Sequence, residues 1–258
     1  MFDLFSDIFA CRDNVLTRMD ARVKMIVASG MILAVIFSVK IFVPLTVFVV
    51  CVSTMLALRM PLRLVFVRLV GPLGIVLTLV VLQAFSITGT SIFSISLLGW
   101  VFTATREGLA HGIVLGSRVL GSVSVMLLLG FVTPAYKVFH ALRWFHVPES
   151  WVEVALLIYR YTFTLADQTT DVAEAQKLRL GYSSARRSLL SMGTLAGTVI
   201  TRSLDQAMRT YEAMTLRGYQ GRLPFESLPK ISLSDRTFVI FALPVIAASY
   251  FILEWWPR

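Results

Sequence analysis

Arg179 and Arg217 stand 38 residues apart inside matching phrases. Glu174-Ala175-Gln176-Lys177-Leu178-Arg179 reads against Glu212-Ala213-Met214-Thr215-Leu216-Arg217, with Gly181-Tyr182 and Gly218-Tyr219 following. Each phrase closes a long helical stretch, where the helix dipole favours a cation. A guanidinium there makes charge-assisted hydrogen bonds to carboxylates or carbonyls. The chemistry on offer is therefore docking: two matched pegs for sockets on a partner protein. The alternative is coincidence within an amphipathic region rich in Ala, Leu and Arg.

Catalytic signals are absent from the sequence. No GxxxxGK[ST], HExxH or GxSxG string occurs, so ATP hydrolysis through a P-loop is not expected of this chain. No Asp/Glu/His cluster suits a divalent ion, and no catalytic residue, metal ligand or cofactor site is assigned. Arg118 is the one strong charge deep in an apolar run, costing roughly 2.5 kcal/mol or more unless partnered. It either anchors polar contacts, internal or to a partner subunit, or reaches an interface from an oblique span. Glu107, His111 and Arg118 form the sole enzyme-like grouping, with Glu107 and His111 near a membrane boundary. Gly108, Gly112 and Gly116 recur every four residues, marking a face for close helix contact within the chain or with a second membrane subunit.

These residues need a membrane scaffold. Hydrophobic residues make up 57% of the chain, mean hydropathy is +0.77 and charged residues are 15%. Five segments read as spans: Val23–Val39, Ile41–Leu58, Leu64–Phe85, Leu109–Val132 and Thr237–Trp256. The first two are short for the ~20 residues a crossing needs. They form a tight hairpin or one distorted element. Residues 1–22 lack the apolar core of a cleavable signal peptide. Residues 86–104 alternate apolar with Ser/Thr, as in a short strand or extended loop.

Basic residues set the expected orientation. Arg12, Arg18, Arg22 and Lys24 flank the first span and Arg59, Arg63 and Arg68 the third, while no Lys or Arg lies between Leu69 and Thr105. The N-terminus is then cytoplasmic. The fold expected is an all-α integral membrane protein of five to six spans plus two long crossing cytoplasmic helices. Residues 1–132 form a membrane region, 133–236 a cytoplasmic or interfacial region, and 237–258 a last span. The middle region holds 13 of the 24 Lys/Arg, against nine acids. In a membrane protein such charge meets anionic lipid or a partner, not nucleic acid. On its second helix Leu190, Gly193, Gly197, Ile200, Leu204, Ala207, Tyr211 and Met214 form a stripe. Gly193 and Gly197 suggest the point where the two long helices cross. Pro224 and Pro229 mark a linker, and Ser234-Asp235 a cap for the last span.

Taken together, these features resemble the transmembrane T component of energy-coupling-factor (ECF) transporters, in its CbiQ-type cobalt/nickel branch. Leu16-Thr17-Arg18-Met19-Asp20-Ala21-Arg22-Val23-Lys24 is similar to the family's L-x-x-h-D-P-R-x-K entry to the first span, with Ala21 replacing Pro. Glu107-Gly108-Leu109 through Arg118, then Thr133-Pro134, then Leu142-Arg143 to Val147-Pro148 follow in the family's order. The family's Ala-Arg-Gly-like triplets match Leu178-Arg179-Leu180 and Leu216-Arg217-Gly218. The first departs at both flanks and the second at its leading residue. Asp7 to Asn14 resembles the cobalt/nickel branch. The resemblance implies a non-catalytic subunit in the cytoplasmic membrane of a bacterium or archaeon. It implies two ATP-binding cassette subunits that bind the ATP, and a small membrane subunit that captures the metal. Arg179 and Arg217 would be the coupling residues, with Ala175, Leu178, Gly181, Ala213, Leu216 and Gly218 around them. A vitamin-type ECF importer, a stand-alone channel or carrier, and a membrane enzyme are the alternatives.

Overall fold

The computed structural model describes residues 15–87, 89–97, 100–221 and 232–255. The Asp7–Asn14 resemblance and the linker prolines Pro224 and Pro229 lie outside them. Two compact units appear: Met1–Val138 with Lys230–Arg258, and Phe139–Pro229.

The first unit is a helical bundle. A short α1 (Val15–Arg18) leads to α2 (Ala21–Phe37), α3 (Phe42–Ala57) and α4 (Leu62–Ser86). A hairpin of β1 (Ser91–Leu97) and β2 (Trp100–Thr105) precedes α5 (Arg106–Val132). After α6 (Ala135–Trp144) and the second unit's helices, α9 (Leu233–Trp255) returns to the bundle. The strands are antiparallel with Ser94 opposite Thr103, and the register shifts between Ser91 and Phe93. The Ser/Thr alternation in residues 86–104 thus gives a β-hairpin on an otherwise helical scaffold.

Helix α5 is the axis, packed by α2, α3 and α4. Its glycines are why α4 approaches so closely. A Cβ on Gly108 would lie 2.4 Å from the Gln83 carbonyl, and one on Gly112 would lie 3.0 Å from Val80 Cα. One on Gly116 would meet Val76 Cγ1 at 2.7 Å. The glycine face is therefore used inside the chain. Gly121, not anticipated, does the same for α3: its Cβ would lie 3.0 Å from the Pro44 carbonyl.

Residues 23–58 resolve as two antiparallel helices. Ala28, Cys51 and Val125 share one buried cluster, and Met55, Met60, Val65 and Phe131 another. The α2–α3 turn is reached about 25 Å along, whereas α4 and α5 run about 40 Å at 1.5 Å per residue. Helix α9 runs parallel to α2, with Leu243 beside Gly30 and Tyr250 Oη donating to the Phe37 carbonyl at 3.2 Å. The starts of α2, α4 and α9 and the ends of α3 and α5 consequently share one end of the bundle.

Three helices, Leu62–Ser86, Arg106–Val132 and Asp235–Leu253, are long and apolar enough to cross a membrane, and Phe42–Ala57 is a shorter apolar helix. Helix α4 turns Phe66, Val67, Val70, Leu73, Ile75 and Leu77 outward. That amount of exposed apolar surface is what hydrocarbon accepts and water does not. The chain is an all-α membrane protein with one small hairpin.

The second unit contains α7 (Glu149–Leu178) and α8 (Ala185–Leu216). Tyr161 pairs with Thr210 and Gln176 with Ser191, so the two helices are antiparallel. The crossing expected at Gly193 and Gly197 does not occur: a Cβ on either has nothing within 4 Å. Small spacing alone permits an approach, and here the hydrogen bonds that join the helices lie elsewhere. The stripe is outward too, with Ile200, Leu204 and Tyr211 more than half exposed.

Candidate protein-docking site

Both long helices end in the same local geometry. Arg179 is the C-cap of α7 (φ −85°, ψ 16°) and Arg217 the C-cap of α8 (φ −89°, ψ 7°). The next residue is left-handed in each, Leu180 at φ 57° and Gly218 at φ 84°. Gly181 N donates to the Gln176 carbonyl at 2.9 Å and Leu180 N to the Lys177 carbonyl at 3.1 Å. Tyr219 N to Met214 at 3.0 Å and Gly218 N to Thr215 at 3.0 Å repeat the pattern. These are paired Schellman caps, which satisfy carbonyls that a helix end leaves open. The sequence repeat is thus a structural repeat, and it fixes the arginine at one position relative to each helix axis.

Burial shows what the caps present. Leu178 is 86% exposed and Leu216 89%. An apolar side chain beside a cation at a helix end suits a socket with an apolar wall and an acidic or carbonyl-lined floor. Ala175, Arg179, Ala213, Arg217 and Gly218 are exposed as well, while Gly181 is pressed against Ser191. The two tips lie at opposite ends of α8, a strut of 32 residues or about 48 Å.

The sequence did not disclose what braces the first tip. Tyr182 Oη donates to Gln176 Oε1 at 2.8 Å, and Gln176 Nε2 donates to the Ser191 carbonyl at 3.1 Å. Ser191 Oγ donates to the Gly181 carbonyl at 3.0 Å. The Gly-Tyr dipeptide in each repeat was the available signal.

The other singled-out residues serve the bundle. Arg118 Nη2 donates to the Ser38 carbonyl, while its Nε is buried without a partner. Ser38 is the fully buried C-cap of α2, so Arg118 neutralises a helix end where the short α2–α3 hairpin stops partway along α5. Its partner is internal. Asp20 caps α2 by accepting from Arg22 N at 3.1 Å, and its own N donates to Asp235 Oδ2 at 3.2 Å. Asp235, the third residue of α9, thus ties that helix to the start of α2. Lys24 Nζ donates to the carbonyls of Val132 at 3.3 Å and Thr17 at 3.4 Å. Asp20, Arg22 and Lys24 are a staple for three helix ends.

Glu107 and Arg118 do not converge: they are eleven residues, or about 16 Å, apart on one helix, and the Glu107 carboxylate lies against Gly89. Among the described residues there is no group of three or more His, Cys, Asp or Glu placed to hold a metal.

Residues 12–231 match the model of the CbiQ family, described as cobalt transport protein. The chain belongs to the CbiQ family. A cobalt transport protein CbiQ of Rhodobacter capsulatus is 31% identical over 66% of this chain and 66% of its own length. Its counterpart in Salmonella typhimurium is 29% identical over 58% and 68%. An uncharacterized protein of Methanocaldococcus jannaschii is 29% identical over 92% of this chain and 90% of its own. A putative fused cobalt transport protein CbiMQ of Methanocorpusculum labreanum shares 27% identity over 46% of this chain and 20% of its own. The matched residues of this CbiQ-family chain include both arginine caps.

Proposed function

We propose that this chain is the transmembrane coupling (T) subunit of an ECF-type importer for cobalt, or for nickel. The observation that carries the reading is the pair of identical Schellman caps, each presenting an arginine and an uncovered leucine. Two tips of one backbone geometry, at opposite ends of one strut, suit two like sockets. Two ATP-binding cassette subunits supply such a pair. A third partner, a small membrane subunit, would hold the metal, and the fused relative supports a membrane partner for this family. The chain itself is then non-catalytic. The basic bundle end, with Arg22, Lys24, Arg59, Arg63 and Arg68, faces the cytoplasm under the positive-inside rule. Five helices of alternating direction then give five crossings of the cytoplasmic membrane, N-terminus inside.

Coupling follows from stiffness. ATP binding draws two ATPase subunits together with the tips they hold. A 32-residue helix cannot shorten, so their approach turns α8. That rotation is what a membrane partner on the exposed α8 stripe would feel. Each desolvated arginine contact contributes about 2–5 kcal/mol to holding its socket.

The test is co-purification with the ATPase subunit and ATP-driven metal uptake. Arg179→Glu and Arg217→Glu each weaken both, and the double variant abolishes them. A double variant that assembles and transports normally would overturn the reading.

A further inference from the structure

The two tips share a backbone and differ in what holds them, which deepens the coupling reading and rests on it. At the Arg179 tip the Tyr182–Gln176–Ser191–Gly181 network closes the loop onto the start of α8. A Cβ on Gly181 would lie 2.6 Å from Ser191 Oγ and 2.9 Å from the Gln176 carbonyl, so the loop is already packed. Ser184 caps α8, and Arg187 Nη1 donates to Ser183 Oγ at 3.2 Å. At the second tip Met214 stands where Gln176 stands in the first and Gln220 where Tyr182 does, so the same side-chain network cannot form there. Gly218, in the position of Leu180, has nothing within 4 Å of a Cβ placed on it.

Charge divides the tips the same way. Lys177, Arg179, Arg186 and Arg187 are all exposed around the first turn, and no Asp or Glu occurs between Glu174 and Asp205. Glu174 and Glu212 stand five residues before their arginines alike, but at the second tip Thr215 takes the place of Lys177.

We propose that the Arg179 tip is a preformed, strongly cationic docking site that seats an acidic groove of one ATPase subunit first. The Arg217 tip is shaped by its partner and seats the second subunit more weakly. A braced site loses less conformational freedom on binding. Its clustered cations also speed encounter with an acidic surface and make it sensitive to salt. Tyr182 is a positioning residue here, because it acts through Gln176.

The experiment uses the full chain in lipid nanodiscs and the purified ATP-binding cassette subunit of the same transporter. The Arg217→Glu chain offers the first tip alone and the Arg179→Glu chain the second. The first is expected to bind about ten-fold tighter and with the steeper salt dependence. Tyr182→Phe in the first chain, or Gln176→Ala from the other side of the same network, weakens it about five-fold. Tyr182→Phe in the second chain, and Tyr219→Phe in either, changes nothing. Equal affinities at the two tips, or no effect of both network substitutions, overturn the proposal. Binding that survives both glutamates in one chain overturns the coupling reading instead.

Discussion

Arg118 and Ser38 meet across 80 residues of sequence, guanidinium to backbone carbonyl, at the end of α2. The contact closes the α2–α3 hairpin against α5, with Ser38 fully buried and the Arg118 Nε shielded beside it. Removing either strands the other.

Arg118→Leu is expected to destabilise the membrane unit by about 1–3 kcal/mol, the cost of an orphaned buried acceptor. Arg118→Lys recovers part of this. Thermal unfolding in detergent reads both, and an unchanged midpoint for Arg118→Leu would show that the carbonyl finds another donor.

Lys24→Met removes the donor that reaches the carbonyls of Val132 and Thr17. A loss of about 1–3 kcal/mol is expected. Co-purification of the ATPase subunit, normalised to folded protein, should not change. A selective loss of partner binding with stability intact would reassign Lys24 to the interface.

Glycines divide into two groups. Gly112→Val drives a side chain into Val80 Cα and should cost about 1–3 kcal/mol by overpacking. Gly193→Ala and Gly197→Ala meet open space within an exposed helix and should each stabilise the free chain by about 0.5–1 kcal/mol. Equal effects across the groups would contradict the packing of α4 on α5.

Leu180 holds φ 57° without being glycine, which costs about 1–2 kcal/mol. Leu180→Gly should recover up to about that much, and Gly218→Ala should lose about 1 kcal/mol. Circular-dichroism melts decide, and a destabilised Leu180→Gly would mean that the leucine side chain supports the tip.

Much of this was legible before the fold was known. Apolar length and proline placement located the five long helices of the bundle to within about four residues, because a membrane span must satisfy its whole backbone internally. Gly108, Gly112 and Gly116 declared a contact face because their spacing matches the helical period. Arg118 announced a need but not its answer, since the answering group is a carbonyl and every residue carries one. Asp20, Arg22 and Lys24 were visible as a motif, while their three-way stapling depends on helix ends that sequence order keeps far apart. Gly193 and Gly197 misled because a permissive spacing says nothing about whether a neighbour arrives. The tips were clear as a repeat, and the brace at Tyr182 was hidden in its second half.

Helix α8 buries none of its residues within the chain. A copy outside its complex is therefore expected to leave an amphipathic helix, with Ile200, Leu204, Met208 and Tyr211 along one side, open to a protease. Assembly would cover that side, so partner supply is expected to set how long an unassembled copy lasts.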